Sequence, residues 1–255
     1  MIVEVVNTNK VELLFRGWEE TLIWSCIQGV MGKIYADGIE HPKSAMAILG
    51  DFCFFAGEVN RELISYKPPY FQNDFVIMVP QNGEWSKAIE EVYGDKAKKV
   101  TRYAIKKERN IFDREKLEHI VSSLSDEYQC KALDETDFIQ CKETDWAGDL
   151  VSQYENFQEF QKLGLGIVIL KNGNIVAGAS SYARYKEGIE IEIDTKESDR
   201  RKGLASVCGA KLILECLSRG LYPSWDAQNT GSVALAEKLG YHFNYEYTAY
   251  EILGY

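Results

Sequence analysis

The sequence predicts a protein of the α/β (α+β) class, with a mixed, mainly antiparallel sheet flanked by helices and an α/β domain at the N-terminus. Three observations predict it. The chain has 255 residues, 45% of them apolar and 27% charged, which is typical of one large globular domain or two small ones. Apolar residues recur at helical spacing in several segments. Residues 189–195 alternate strictly between apolar and acidic side chains, as one strand of a meander does.

The first 125 residues mix predicted helices and strands. Residues 11–30 carry apolar side chains at helical spacing, which predicts one helix. Residues 45–56 form a dense apolar run interrupted by Gly50 and Asp51, which is consistent with a buried strand pair or a bulged strand. The other predicted elements of this half are strands over residues 75–79 and 99–107, a helix over 86–93 that Ser86 caps, and a helix over 113–124.

The order of elements changes near residue 125, so we expect two domains, residues 1–125 and 126–255. Asn172-Gly173 predicts a hairpin turn between the first two strands of a meander. The predicted strands of this half span residues 128–133, 166–170, 175–185, 189–195, 222–225 and 243–252. The predicted helices are a short one after residue 134 and longer ones over residues 146–163, 203–219 and 229–239.

Charge and cysteine usage exclude several classes of protein. With 29 basic and 39 acidic residues, the net charge of −10 argues against a nucleic-acid or anionic-membrane partner and favours a cationic small molecule. The six cysteines include no CxxC pair and the three histidines are scattered, so no metal site is predicted.

The N-terminus lacks a basic signal region, and no apolar run approaches the roughly 18 residues that span a bilayer. We expect a cytoplasmic protein, and the sequence leaves open whether it forms a homodimer.

The segment from Asp199 to Ser206, named the 199–206 loop, joins the last meander strand to a helix. A helix start carries unpaired backbone N–H groups and the positive end of the helix dipole, so it attracts anions. Gly203 leaves room for a phosphate to approach the backbone, and Arg200, Arg201 and Lys202 add positive charge. A charged surface loop that caps a helix would have the same residues. The loop sequence alone therefore does not identify an anion site, and its position in the order of strands and helices has to supply the specificity.

That position resembles the Gcn5-related N-acetyltransferase (GNAT) superfamily. Its phosphate loop has the form Gln/Arg-x-x-Gly-x-Gly/Ala, which Arg200, Gly203 and Ala205 match. The segment 229–241 resembles the family's later helix, and the whole resemblance covers about residues 128–252. It implies the GNAT fold and an acetyl-CoA site. The resemblance assigns the cofactor to Ile193, Thr195, Arg200, Arg201, Lys202, Gly203, Leu204, Ala205, Ser206, Asn229 and Ser232.

Short motifs in the N-terminal half resemble a bacterial GNAT subgroup that includes a zwittermicin A resistance protein. They are His41-Pro42-x-x-Ala45 and Gly50-Asp51-Phe52, and Pro223-Ser224-Trp225-Asp226 accompanies them downstream. The resemblance implies a separate N-terminal domain before the catalytic one. Taken alone, His41-Pro42 is typical of a turn.

Three acids lie on one face of the strand that leads to the 199–206 loop. Glu190, Glu192 and Asp194 alternate with isoleucines, so their side chains point the same way. In GNAT enzymes this strand borders the acetyl group and a Glu on it often acts as the base. We therefore expect Glu190 or Glu192 to be the general base, with Asp194 third. A solvated strand face would show the same alternation.

The sequence departs from the family at the general acid. Many GNAT enzymes carry a Tyr in the later helix that protonates the departing sulfur, and the matching position here is Ala236. Either Tyr241, the nearest Tyr in the sequence, supplies the proton, or none is needed because a thiol with a pKa near 8.5 leaves as thiolate.

The sequence thus predicts an acetyl-CoA-dependent N-acetyltransferase that moves the acetyl group directly to an amine of a small molecule. The acidic strand predicts an acceptor with at least one ammonium group, such as an aminopolyol or a polyamine. Two alternatives stay open: a non-catalytic module that senses CoA or an acyl-CoA, which the absence of Tyr at position 236 favours, and a protein N-acetyltransferase.

Overall fold

A computed structural model describes residues 1–255, which form two compact units. Unit 1 consists of residues 1–102 and 246–255, and unit 2 consists of residues 103–245. The predicted domains, 1–125 and 126–255, stay a prediction. The helix over Arg114–Ser122 nevertheless packs within unit 2, where it contacts the long helix over Leu204–Ser218.

Unit 1 is built on a meander of four strands that ends in a parallel pair. Five strands lie side by side in chain order, antiparallel except for the last two, which are parallel. Trp85 stacks on Phe55 in its core and donates from its indole N–H to the carbonyl of Gly57 at 3.0 Å. The strands are β1 (Val3–Glu4), β2 (Lys33–Ala36), β3 (Ser44–Leu49), β4 (Phe52–Gly57) and β5 (Phe75–Pro80). The helices are α1 (Thr21–Ile27), α2 (Arg61–Ile64) and α3 (Gly83–Tyr93).

Unit 2 repeats that strand order. Five of its strands again lie side by side in chain order, and the last two are the only parallel pair among them. The strands are β7 (Gln129–Ala132), β8 (Gly166–Lys171), β9 (Asn174–Tyr185), β10 (Gly188–Thr195) and β11 (Tyr222–Ser224). The helices are α4 (Arg114–Ser122), α5 (Glu135–Lys142), α6 (Phe157–Leu163), α7 (Leu204–Ser218) and α8 (Thr230–Leu239).

Three further strands complete the sheets. They are β6 (Ala97–Ile105), β12 (Asp226–Ala227) and β13 (Phe243–Leu253). The last residues of β13 pair with β5 inside unit 1, and β12 pairs with the last residues of β6 inside unit 2. The architecture confirms the predicted α/β class with mainly antiparallel sheets flanked by helices.

The core of unit 2 lies between β10 and α7. Ile189 and Ile191 face this core together with Leu204 and Cys208, so the acids between the isoleucines face the opposite side of the strand. Burial in this core raises the pKa of the Cys208 thiol well above its usual value, so Cys208 packs as a small apolar side chain. None of the helices is long and apolar enough to cross a membrane.

Two predicted helices are wrong in part. Residues 11–30 form one 3₁₀ turn over Glu12–Phe15 and then α1, because Arg16 is extended and Gly17 has a φ of 81°. Residues 146–163 form a 3₁₀ turn and then α6, which Asn156 caps. Here the carbonyl of Leu150 accepts a hydrogen bond from the Ser180 hydroxyl at 2.5 Å, a partner from a neighbouring strand.

Most of the other boundaries are confirmed. Residues 45–56 are a strand pair joined at Gly50 and Asp51, and Asn172-Gly173 makes the predicted hairpin turn with φ values of 51° and 78°. The cap of α3 is the exception: Asn82 accepts hydrogen bonds from the first turn, so the helix begins three residues before the predicted Ser86. The Asn82 side chain outcompetes the later serine because it reaches two free N–H groups at once.

Candidate functional site

Strands β10 and β11 separate after three residue pairs, at a point named the fork. They pair from Gly188 opposite Tyr222 to Glu190 opposite Ser224. The chain then passes through Trp225 into β12, which pairs with β6 instead. Residues 191–195 therefore pair with β9 on one edge and with no strand on the other. An open edge of this kind offers backbone hydrogen bonds to an extended ligand.

Two carboxylates cover backbone N–H groups on this open edge. Glu192 Oε1 accepts from the N–H of Ile193 at 3.1 Å, and Asp194 Oδ1 accepts from the N–H of Thr195 at 2.7 Å. Burial raises the pKa of Asp194 above its ordinary value. The hydroxyl oxygen of Thr195 is buried without a hydrogen-bond partner. The Thr195 hydroxyl is thus available to a ligand along the edge, whereas the two N–H groups would first have to exchange their carboxylate partners for it.

The 199–206 loop leaves the start of α7 without a side-chain cap. Six of the eight α-helices begin at an Asn or Asp whose side chain accepts a hydrogen bond from the first turn, whereas α7 begins at Gly203. Arg201 and Gly203 have positive φ values of 62° and 82°, and a Cβ at Gly203 would meet no atom within 4 Å. The N–H groups of Leu204, Ala205 and Ser206 thus begin the helix beside open space, which suits an anion.

The three cations of the loop differ in what they bind. Lys202 Nζ pairs with Asp199 Oδ1 at 2.7 Å, and hydrogen bonds from Lys202 and Ser198 lower the pKa of Asp199. Arg200 donates from Nε to the carbonyl of Thr195 at 3.2 Å, which ties the loop to the end of β10. Asp199 therefore offsets the charge of Lys202, so less positive charge faces a ligand than the sequence alone suggested.

Glu190 is the last residue of β10 that pairs with β11, so it lies at the fork. Glu190 is only 7% exposed. On the same face the hydroxyls of Tyr185 and Ser224 lie 2.9 Å apart. Burial raises the pKa of Tyr222 to about 12, and the carboxylates of Glu108 and Glu190 add to the shift. The fork thus combines a buried acid with a phenol, Tyr222, whose pKa is raised chiefly by burial.

The structure gives the Tyr241 hydroxyl a backbone partner. Its hydroxyl donates to the carbonyl of Pro223 at 2.6 Å, and its ring packs edge-on against Phe112 and Trp225. Burial raises its pKa well above the usual range. Ala236 is fully buried in the core of unit 2. The role of Tyr241 as an acid stays a prediction, since its proton already has an acceptor.

The start of α8 lies beside the fork. Asn229 Oδ1 caps the helix by accepting from the N–H of Ser232 at 3.0 Å, which leaves the amide nitrogen of Asn229 free to donate. The hydroxyl of Ser232 accepts from the indole N–H of Trp225 at 3.0 Å. Since Trp225 is the residue at which the strands separate, this hydrogen bond ties Ser232, one of the predicted cofactor residues, to the fork.

Sequence reasoning missed one cation near the 199–206 loop. Lys238 in α8 donates from Nζ to the hydroxyl of Ser206 at 3.0 Å. No sequence signal marks this contact, because it depends on how two helices pack. No group of three or more His, Cys, Asp or Glu side chains in residues 1–255 is arranged to hold a metal ion.

Known proteins resemble this chain in sequence and in structure. The sequence model of a family described as GNAT acetyltransferase matches residues 12–250. The uncharacterized N-acetyltransferase YdfB of Bacillus subtilis (strain 168) is 26% identical over 241 residues, which cover 90% of this chain and 89% of that protein. A crystal structure of a GCN5-related N-acetyltransferase-like protein from Streptococcus suis 89/1591 is 46% identical with a TM-score of 0.91, covering 96% of this chain and 98% of that chain. A tandem GNAT protein from the clavulanic acid biosynthesis pathway shares the fold, with 7% identity, a TM-score of 0.60, and coverage of 100% and 98%.

Proposed function

Because the chain belongs to the GNAT acetyltransferase family and is thus an N-acetyltransferase, we propose that it transfers an acetyl group from acetyl-CoA to an amine of a small molecule. In this proposal the transfer is direct and Glu190 is the general base. The observation that carries it is the position of Glu190, a buried acid at the point where β10 and β11 separate.

The residues around the fork fit the proposed acyl donor. The uncapped start of α7 and the cations Arg200 and Arg201 suit its phosphates. The open edge of β10 suits its amide-containing arm, and Thr195 and Asn229 each keep a hydrogen-bonding atom for it. Bound acetyl-CoA would supply the acyl group as a thioester, whose carbonyl carbon the amine attacks.

Glu190 is preferred over the other two acids because of what each carboxylate does. Glu192 and Asp194 each accept a hydrogen bond from the next N–H of their own strand, along the edge that the donor would occupy. Glu190 precedes that edge and faces Tyr185, Tyr222 and Ser224, whose side chains border the same face of the fork. A base beside the edge can reach an acceptor while the edge itself is filled.

The proposed step moves one proton to the protein and one acyl group to the amine. Glu190 takes a proton from the acceptor's ammonium group, which frees the nitrogen lone pair. A nitrogen–carbon bond then forms and gives a tetrahedral intermediate, from which the carbon–sulfur bond breaks while the sulfur keeps the bonding electrons. The second proton of the attacking nitrogen passes to the departing thiolate or to solvent, which leaves a neutral amide. Backbone N–H groups of β10 stabilise the negative charge on the carbonyl oxygen. The thiol of the donor has a pKa near that of cysteine, about 8.5, so it leaves as thiolate without a dedicated acid.

The charge around the fork supports an acceptor with one or more ammonium groups. Glu190 and Glu108 contribute negative charge beside Tyr222. Burial raises the pKa of Tyr185, and the carboxylates of Glu190 and Glu187 add to the shift. An aminopolyol or a polyamine matches this field better than an acidic amino acid. The short N-terminal motifs additionally support membership of the subgroup that includes the zwittermicin A resistance protein.

The decisive experiment compares two isosteric variants across an amine panel. The wild-type protein, Glu190→Gln and Glu192→Gln are each incubated with acetyl-CoA and amines while the free thiol is measured. We expect cationic amines to be the best acceptors, and Glu190→Gln to lose about 10² to 10⁴ in kcat with its affinity for acetyl-CoA kept. Glu192→Gln, the matched control, should lose less than about tenfold. Full activity in Glu190→Gln from about pH 6 to 9 would refute the role of Glu190.

A second function, a non-catalytic sensor of CoA or an acyl-CoA, is favoured by one observation. A fully buried Ala236 occupies the position of the family's acid, and the hydroxyl of Tyr241 donates a hydrogen bond to the carbonyl of Pro223. The same panel separates the two functions, because a sensor would bind acetyl-CoA and release no thiol with any amine.

A further inference from the structure

A cation from outside the 199–206 loop lies at the start of α7. Lys238 is in the last turn of α8, and its Nζ donates to the hydroxyl of Ser206 at 3.0 Å. Ser206 is the third residue of α7, within the turn whose N–H groups lack a side-chain cap. Lys238 forms no ion pair with any carboxylate of residues 1–255, so its full positive charge lies beside these N–H groups.

Helix packing places Lys238 there. Gly209 faces α8, and a Cβ at this position would lie 2.8 Å from Leu239 Cδ1. The missing side chain therefore lets α8 approach α7 closely. Ser206 lies three residues before Gly209 and so on the same face of α7, while Lys238 immediately precedes Leu239. The close approach at Gly209 thus brings the Lys238 ammonium group to the first turn of α7.

Two lysines near this helix start differ in their effective charge. Lys202 belongs to the 199–206 loop, but its Nζ lies 2.7 Å from Asp199 Oδ1, so the pair has no net charge. Lys238 binds only a neutral hydroxyl. A phosphate at the start of α7 would meet one uncompensated ammonium group, which α8 supplies.

From this arrangement we infer that Lys238 binds a phosphate group of the acyl donor and does so more strongly than Lys202. The inference rests on the proposed function, since CoA is the ligand concerned. The phosphate is either part of the pyrophosphate or the 3′-phosphate of CoA. Because α8 also carries Asn229 and Ser232, this assignment makes α8 contribute to the donor site from both of its ends.

The test measures CoA affinity by calorimetry for the wild type, Lys238→Gln, Lys238→Arg and a matched control, Lys162→Gln. Lys162 is also an exposed lysine in the last turn of a helix of unit 2. We expect Lys238→Gln to weaken CoA binding about 5- to 10-fold, Lys238→Arg to weaken it less than about threefold, and Lys162→Gln to leave it unchanged. High salt should weaken the wild type more than Lys238→Gln.

Two further measurements separate phosphate binding from a structural role and identify the phosphate. Ser206→Ala removes the link between the helices but keeps the cation, so it should lose less affinity than Lys238→Gln. If dephospho-CoA binds equally to the wild type and Lys238→Gln, the partner is the 3′-phosphate; if its affinity falls in the variant as that of CoA does, the partner is the pyrophosphate.

Equal CoA affinity in the wild type and Lys238→Gln would overturn the inference about Lys238 but not the proposed function. Equal losses in Ser206→Ala and Lys238→Gln, together with equal drops in Tm, would also overturn it, because they indicate a structural link. A wild-type protein that binds no CoA would instead overturn the proposed function, so the two failures are distinguishable.

Discussion

Units 1 and 2 share a strand order, yet only unit 2 has an open fork. In unit 1, β4 and β5 stay paired from Phe52 to Phe55, and the N–H of Gln81 continues the pairing by donating to the carbonyl of Phe55. The end of β13 then covers the other edge of β5. In unit 2, β10 and β11 pair over three residues and separate. The same topology therefore gives a closed sheet in one unit and a ligand-accessible edge in the other.

The turns after the fourth strand differ in the same sense. In unit 1 this turn leads into α2, where Asn60 caps the helix by accepting from the N–H of Leu63. A Cβ at Gly57 would lie 2.1 Å from the carbonyl oxygen of Lys43, so no ligand fits at that glycine. Gly203 in unit 2 has open space around it and begins an uncapped helix. An anion site thus requires an absent cap and an open approach, which the strand order alone does not provide.

The fourth strands also differ in chemistry. Strand β4 reads Phe-Cys-Phe-Phe-Ala-Gly and is apolar, whereas β10 carries three acids on one face. In the proposed function, the donor site and the three acids therefore both lie in unit 2.

The largest expected effect comes from filling the open approach in unit 2. Gly203→Val should weaken CoA binding about 100-fold or more, because the side chain enters the space where a phosphate meets the N–H groups of α7. Valine is also strained at the φ of 82° that Gly203 adopts. Calorimetry measures the affinity, and circular dichroism measures the helix content.

Gly220→Val is the matched control for this strain. Gly220 follows the other end of α7, has a φ of 69°, and a Cβ there would also meet no atom within 4 Å. The control should lose comparable stability and keep its CoA affinity. If both variants bound CoA like the wild type, the 199–206 loop would not be the phosphate site.

A smaller effect is expected from removing the cap in unit 1. Asn60→Ala leaves an N–H group of α2 without its acceptor, which should lower the free energy of unfolding by about 1 kcal/mol. Because α2 has only four residues and the space at Gly57 is filled, the variant should still bind one CoA per chain with unchanged affinity. Denaturant unfolding and calorimetric stoichiometry measure the two quantities. A second CoA site in the variant would contradict the assignment of the donor site to unit 2.

The smallest effect concerns the carboxylate on the open edge. Burial raises the pKa of Asp194 in the folded chain, so the folded state holds this proton more tightly than the unfolded state. The resulting stabilisation is complete below the unfolded pKa and is lost as pH rises through the folded pKa. Ionised Asp194 therefore costs stability at about pH 7, and Asp194→Asn should raise the Tm there by about 1–3 °C. A thermal scan at about pH 3 should show no difference between the two proteins; a lower Tm for Asp194→Asn at pH 7 would contradict this account.

The sequence predicted the meander and the 199–206 loop because both depend on local signals, such as the alternation around Glu190 and the turn at Asn172-Gly173. It failed at residues 146–163, where a 3₁₀ turn ends at Leu150 and a separate helix begins after Asn156; the carbonyl of Leu150 accepts a hydrogen bond from the distant Ser180, a contact that local spacing does not reveal. The pairing of Asp199 with Lys202 could have been inferred from their spacing of three residues. The contact of Lys238 with Ser206 could not, since it depends on the packing of α8 against α7.

The open edge of β10 also bears on self-association of the protein. A strand with an unpaired edge is a template for another strand, so a donor site of this kind is also a place where two chains could join. Glu192 and Asp194 cover the N–H groups of Ile193 and Thr195, and their negative charges repel a second copy of the same strand. The two carboxylates therefore disfavour pairing between the β10 edges of two chains when no ligand occupies the edge.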